Sequence, residues 1–374
     1  MEIPFIDLKS QYELIREQIK NSIDTVLDHG KFINGPEVNE FETNLKSYTS
    51  VKHAITCANG TDALAIALLA LKVQSNDAVF VPSFTYIASA ESIALVGGVP
   101  YFVDVGDDYN ICPKSLEIAI DDAKKNNHNP RIVIPVDLFG KPSVCVELDE
   151  LINNFDLETI YDAAQSFGSS HNQIKIGNFG DITTTSFFPA KPLGCYGDGG
   201  AIFTNNDDLA KKIKMYSNHG ESKRYHHNII GINSRLDSIQ AEVLNVKFKY
   251  LNDYNNARNQ MAENYNKAFK SVEQLQIPEL NKNSTHVYHQ YTLRVHPIYR
   301  DSLRLYLKGK GIDNRIYYPI PLHKQKVFSK IVDSTYNLPN TNLLSATCLS
   351  LPIHTEIENS SQEYIIDNVL NFFK

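Results

Sequence analysis

The chain has 374 residues, 42% hydrophobic and 21% charged, which is the balance of a globular protein with one large domain or two moderate ones. Its formal net charge of -7, with no long Lys/Arg run, argues against nucleic acid as the main partner, since duplex binding shows a clustered basic face. No signal-like opening and no apolar run near the ~20 residues that span a bilayer occur, so a cytoplasmic protein without membrane contact is expected.

Short β-branched runs alternate with helical patterns through the first two thirds of the chain. HAITCA is followed by the apolar helical run GTDALAIALLALKV, AVFVPS by AESIALVGG, and then come PYFVDV, RIVIPVDLFG, TIYDAA and ITTTSFF. This alternation predicts an α/β unit with a mostly parallel, buried sheet, whose ligands collect at the carboxyl ends of the strands. Near residue 240 the texture changes to one long polar helical pattern, AEVLNVKFKYLNDYNNARNQMAENYNKAF, read as a helix linking two domains. Beyond it, VYHQYTLRV and NRIYYPI read as strands, and RDSLRLYLKGKG and SQEYIIDNVLNFF as helices. The expected division is a large domain over 1–245, with an N-terminal helix, and a smaller α+β domain over 246–374. The five cysteines, Cys57, Cys112, Cys145, Cys195 and Cys348, lack C-x-x-C spacing, so free thiols are expected and no metal site.

Four strand ends carry chemistry. Asn59, Gly60, Thr61 and Asp62 open a helix, where free backbone N–H groups and the positive end of the dipole suit a phosphate; an ordinary helix cap is the plain alternative. Asp162 ends a buried run, with Gln165 three residues on, and a buried carboxylate needs a cation or hydrogen-bond donors. Phe84 and Tyr86 lie two apart at another strand end, where the aromatic on the open side can cover a planar ligand. In SFFPAKPLGCYGDGG, Ser186 ends a strand and Lys191 sits between two prolines, in a segment too stiff for a regular helix. Phosphate cradle, aromatic shelf, acid and lysine together are what pyridoxal phosphate requires. Neither G-x-x-x-x-G-K-[ST] nor a convincing G-x-G-x-x-G is present, which disfavours a nucleotide triphosphatase or a nicotinamide enzyme.

The ordered set FIDLKSQY, GKFINGPEV, CANGTDAL, PSFTYIASAE, DAAQSFG, SFFPAKPLGCYGDGGAIFTN, INSRLDSIQA and YYPIPLHKQ resembles the DegT-type sugar aminotransferases over essentially the whole chain. These are pyridoxal-phosphate enzymes of fold type I that act on nucleotide-linked keto sugars. The resemblance implies Lys191 as the Schiff-base lysine, Asp162 at the pyridine nitrogen and Gln165 at the ring hydroxyl. It further implies Gly60, Thr61 and Ser186 at the phosphate, Tyr86 stacked on the ring, and a homodimer in which Asn233 reaches the neighbouring subunit's phosphate. Arg235 is the adjacent candidate for a sugar or carboxylate contact. Relatives with histidine in place of Lys191 dehydrate their substrates, so lysine implies amino transfer.

Within the family the motifs look most like enzymes that aminate C3 of UDP-linked 3-keto-N-acetylhexosamines or their uronates, for surface polysaccharides, with L-glutamate as donor. One departure is the pair Tyr317 and Tyr318 before PIPL, where uronate enzymes carry His-Tyr; it leaves the exact sugar open. In HGESKRYHHNII, read as a loop, Lys223, Arg224, His226 and His227 form a positive patch suited to the UDP diphosphate or simply to solvent. Amination at C4 of a 4-keto sugar is the nearest rival, and a non-catalytic binding protein of the same fold is the rival of another class.

Overall fold

The computed structural model describes residues 2–279, 283–329, 331 and 337–374. Two opening helices, α1 (Leu8–His29) and α2 (Pro36–Thr49), pack against α8 (Ser238–Phe248) on the outside of a seven-stranded sheet. The strands are β1 (His53–Cys57), β2 (Asp77–Pro82), β3 (Val99–Val103), β4 (Asn129–Val133), β5 (Glu158–Asp162), β8 (Ile182–Ser186) and β9 (Gly200–Thr204). Between β5 and β8 lies a small ribbon of β6 (Ser170–His171) and β7 (Ile174–Lys175). The sheet order is β1-β9-β8-β5-β4-β2-β3, parallel except at β9, which runs antiparallel to both of its neighbours.

Burial explains the strand texture: every residue of β2, DAVFVP, is covered, because helices lie on both faces of the sheet. Helices α3 (Gly60–Ala70), α4 (Ala88–Leu95) and α7 (Asp207–Ser217) are on one side; α5 (Pro113–Lys125) and α6 (Val146–Asn154) pack together on the other. α5 shows the local logic in its sequence. Pro113 starts it, Leu116, Ala119, Ile120 and Ala123 make one buried stripe, and Lys124 and Lys125 meet the negative end of its dipole.

The long helical pattern after residue 240 proves to be two helices, α8 and α9 (Leu251–Phe269), separated at Lys249 and Tyr250. A second core gathers around the sheet of β12 (Leu275–Gln276), β13 (Tyr291–Val295) and β14 (Cys348–Leu351), covered by α10 (Pro297–Gly309) and α12 (Asn359–Phe372). Helix α11 (Pro339–Thr347) leads into β14. Ile3 belongs to this second core and its backbone pairs with Ile312, so the first residues are stitched to the C-terminal unit. The stretch NRIYYPI is not a strand; it forms one isolated bridge, Arg315 to Ser350, and then a non-proline cis peptide between Tyr317 and Tyr318. Among the described residues no helix is long and apolar enough to cross a membrane.

Candidate active site

The carboxyl ends of β1, β2, β5 and β8 open into a cavity of about 720 Å³, lined by Gly60, Thr61, Tyr86, Asp162, Gln165, Ser186 and Lys191 together. Tyr317 and Tyr318 close its other side. Seven cofactor residues inferred from separate motifs are thus brought to one place.

At one end is the start of α3. Asn59 caps it, its side-chain oxygen accepting from the Asp62 N–H at 2.8 Å, so the N–H groups of Gly60 and Thr61 remain outside the helix ladder. The cradle is tight: a Cβ on Gly60 would meet the Ser186 Cβ at 2.7 Å. Helix N–H groups, a positive dipole end and a serine hydroxyl together suit a phosphate.

In the middle lies Asp162, only 6% exposed. Ser89 Oγ donates to it at 2.8 Å and the Ala164 N–H at 3.2 Å, yet among the described residues no lysine, arginine or histidine forms an ion pair with it. Burial pushes its carboxyl up from the ordinary carboxylate range, against the two hydrogen bonds and the charge of Lys191. A protonated ring nitrogen placed against Asp162 would supply the cation this carboxylate lacks.

Gln165 is held from both sides, its Oε1 accepting from the Phe139 N–H at 2.8 Å and its Nε2 donating to the Tyr318 hydroxyl at 3.2 Å. Tyr86 is 57% exposed at the cavity mouth, while Phe84 is fully buried, so Tyr86 is the aromatic on the open side.

Lys191 sits in a loop that folds back on itself: its N–H donates to the Phe188 carbonyl at 2.8 Å, and a Cβ on Gly194 would lie 2.4 Å from the Pro189 carbonyl oxygen. The glycine permits that close approach. Enclosure lowers the Lys191 ammonium to about 8, with the Asp162 charge opposing the shift. His289, which lines the same cavity, is held neutral by burial, with the charge of Lys191 acting in the same direction.

Two residues of this site were not singled out by the sequence. Ser89 falls one helical turn after Tyr86 and has a legible signal in that spacing. His289 has none, because it arrives from β13's approach in the other unit.

The remaining candidates lie outside this cavity in the same protomer. Lys223, Arg224, His226 and His227 form not a loop but an exposed hairpin of β10 (Glu221–Lys223) and β11 (His226–His227), with Tyr225 at its turn. Asn233 is exposed and bridges to Asn218, and Arg235 donates to the Asn218 side chain at 3.4 Å. The segment passes beside the cradle, since Ser234 Oγ accepts from the Ala58 N–H at 3.0 Å.

A lysine of lowered basicity, an unpaired buried acid and a helix-end cradle on a mostly parallel sheet define a pyridoxal-phosphate enzyme of fold type I. The chain belongs to the DegT/DnrJ/EryC1/StrS aminotransferase family, which matches residues 13–370, and its cofactor is pyridoxal phosphate. It is 40% identical, over 99% of its length and 100% of the relative's, to UDP-2-acetamido-2-deoxy-3-oxo-D-glucuronate aminotransferase of Pseudomonas aeruginosa. It is 38% identical to UDP-N-acetyl-3-dehydro-alpha-D-glucosamine 3-aminotransferase of Acidithiobacillus ferrooxidans, covering 95% of this chain and 94% of that one. A solved structure from Bacillus subtilis with bound cofactor PMP superposes with a TM-score of 0.92 at 30% identity, over 100% of this chain and 85% of that one.

Proposed function

We propose that this aminotransferase moves an amino group from L-glutamate to the C3 keto group of a UDP-linked 3-keto-N-acetylhexosamine or its uronate. The product would be an amino sugar for a bacterial surface polysaccharide, made in the cytoplasm. The observation that carries the reading is the meeting of Lys191, Asp162 and the α3 N-terminus in one cavity. Two relatives named for 3-amination support the carbon position.

When bound, pyridoxal phosphate supplies an electron sink that makes the proton on the nitrogen-bearing carbon labile. Lys191 Nζ would be the amine that holds the cofactor and the base that takes this proton and returns it as an acid. The low basicity of the amine suits both tasks near neutral pH. Asp162 would keep the ring nitrogen protonated, aimed by Ser89 and the Ala164 N–H. Gln165, fixed between Phe139 and Tyr318, would hold the ring hydroxyl, and Tyr86 would cover the ring. Gly60, Thr61 and Ser186 would hold the phosphate. In a homodimer, Asn233 of one protomer completes the partner's phosphate site, with Arg235 beside it. Lys223, Arg224 and His226 of the same segment meet the UDP diphosphate, and Tyr317 and Tyr318 border the sugar.

The test is spectroscopic. L-Glutamate added to the cofactor-loaded protein should bleach the visible absorbance, and a 3-keto UDP-sugar should restore it. Restoration by a 4-keto UDP-sugar alone would move the amination to C4. No response to glutamate would sink the enzymatic reading and leave a cofactor-binding protein.

A further inference from the structure

One buried carboxylate has no part in the reaction as proposed. Asp137 is fully buried in the loop that follows β4, and among the described residues no lysine, arginine or histidine forms an ion pair with it. Its partners are hydroxyl and amide groups. Oδ1 accepts from the Ser143 N–H at 2.7 Å and from the Ser143 hydroxyl at 2.6 Å, and Oδ2 accepts from the Ser166 hydroxyl at 2.7 Å. Burial pushes the carboxyl up to about 6, against those three hydrogen bonds and with the charge of Asp162 adding to the rise. A buried acid without a cation is costly, so its presence calls for a reason in what it holds.

What it holds is Gln165, from two directions. Ser166 follows Gln165 in the chain, so the bond to Oδ2 fixes the backbone that carries the Gln165 side chain. The bonds to Oδ1 close the loop from residue 137 to 143, and within that loop Phe139 donates its N–H to Gln165 Oε1 at 2.8 Å. Phe139 has a φ of 58°, a left-handed conformation unfavourable for an aromatic residue, which the closed loop keeps in place. The Asp162 side chain is aimed separately, by Ser89 and the Ala164 N–H, so the Asp137 carboxylate can be removed without deleting either of those bonds.

We propose that Asp137 is a positioning residue, a buried clamp that holds the Gln165 amide in place for the cofactor's ring hydroxyl. Asp137 does not line the cavity and acts only through Gln165, so the inference rests on the proposed placement of that glutamine.

The experiment compares the affinity of full-length, cofactor-free protein for pyridoxal phosphate and for 3-deoxypyridoxal phosphate, which lacks only the ring hydroxyl. Fluorescence titration at about pH 8, where Asp137 is ionised, gives the ratio of the two. Gln165→Ala sets the ratio without the contact, and the unaltered protein should exceed it by about tenfold, the scale of one well-placed buried hydrogen bond. Asp137→Ala should fall to within about threefold of that baseline, through weaker binding of pyridoxal phosphate and little change for the analogue. Should Asp137→Ala fail to fold, Ser166→Ala, which removes one of the three bonds, decides in its place and should lower the ratio in the same direction. A merely structural role would weaken both ligands alike, and a ratio equal to that of the unaltered protein would overturn the inference while leaving Gln165 at the ring. No difference between the unaltered protein and Gln165→Ala would instead remove Gln165 from the ring hydroxyl, and the inference with it.

Discussion

The chemistry of the site turns on one amine. With its ammonium lowered to about 8 by enclosure, Lys191 is neutral in roughly one molecule in ten at pH 7, against a few in ten thousand for an exposed lysine. In the proposed reaction the neutral amine is the nucleophile, and a base with a depressed pKa loses its proton as pH rises through that value. The rate of pyridoxal phosphate uptake by cofactor-free protein should therefore climb with pH and level off above about 8. Stopped-flow absorbance measures this, and a rate still rising toward the pKa of an exposed lysine would show that enclosure does not tune the amine. Lys191→Ala should lose turnover by at least ~10³-fold, since both the covalent anchor and the proton carrier are gone. Asp162→Asn keeps the shape and the Ser89 contact but removes the charge proposed to meet the ring nitrogen. It should still bind cofactor and transaminate at least ~100-fold more slowly; an unchanged rate would remove Asp162 from the chemistry.

At the level of elements, the start of α3 joins stability to cofactor affinity. Asn59→Ala leaves the Asp62 N–H without its acceptor and should cost about 1 kcal/mol in thermal unfolding of the cofactor-free protein. Gly60→Ala should weaken cofactor binding more than it weakens the fold, because its Cβ would meet Ser186 inside the cradle. Fluorescence titration with pyridoxal phosphate separates the two effects, and equal affinities for Gly60→Ala and the unaltered protein would place the phosphate elsewhere. This helix was legible in the sequence because its cap and its uniformly apolar body are local signals. The six strands named by their β-branched runs were legible for the same reason. β9 was not, since GAIFT follows a glycine cluster that reads as a turn, and its antiparallel pairing with β1 and β8 is a long-range matter. NRIYYPI has strand composition, yet its tyrosines turn toward the cavity, where Tyr318 meets Gln165. The break between α8 and α9 falls at ordinary helix formers, so only packing on two different cores reveals it.

For the whole molecule, the position of the basic segment has the widest consequence. Ser234 touches the cradle of its own protomer, but exposed Asn233, Arg235 and the hairpin do not line that protomer's cavity. Residues so placed serve a site only if a second copy brings them there, and two-fold symmetry then gives each protomer the other's segment. Mixing two defective variants tests this. On the proposed assignment Asn233→Asp would put a negative charge against the cofactor phosphate and Lys191→Ala would remove the nucleophile, so each homodimer should be nearly inactive. In the mixed dimer, Lys191 from one chain faces an intact Asn233 from the other, while the second site carries both lesions. Random reassortment makes half of the dimers mixed, so refolding the two together should recover roughly a quarter of normal turnover. If Asn233 acted within its own protomer, each site would keep one lesion whatever its partner, and mixing would recover nothing. Recovery near a quarter, with a dimer mass in solution, would establish that each active site is built from two chains.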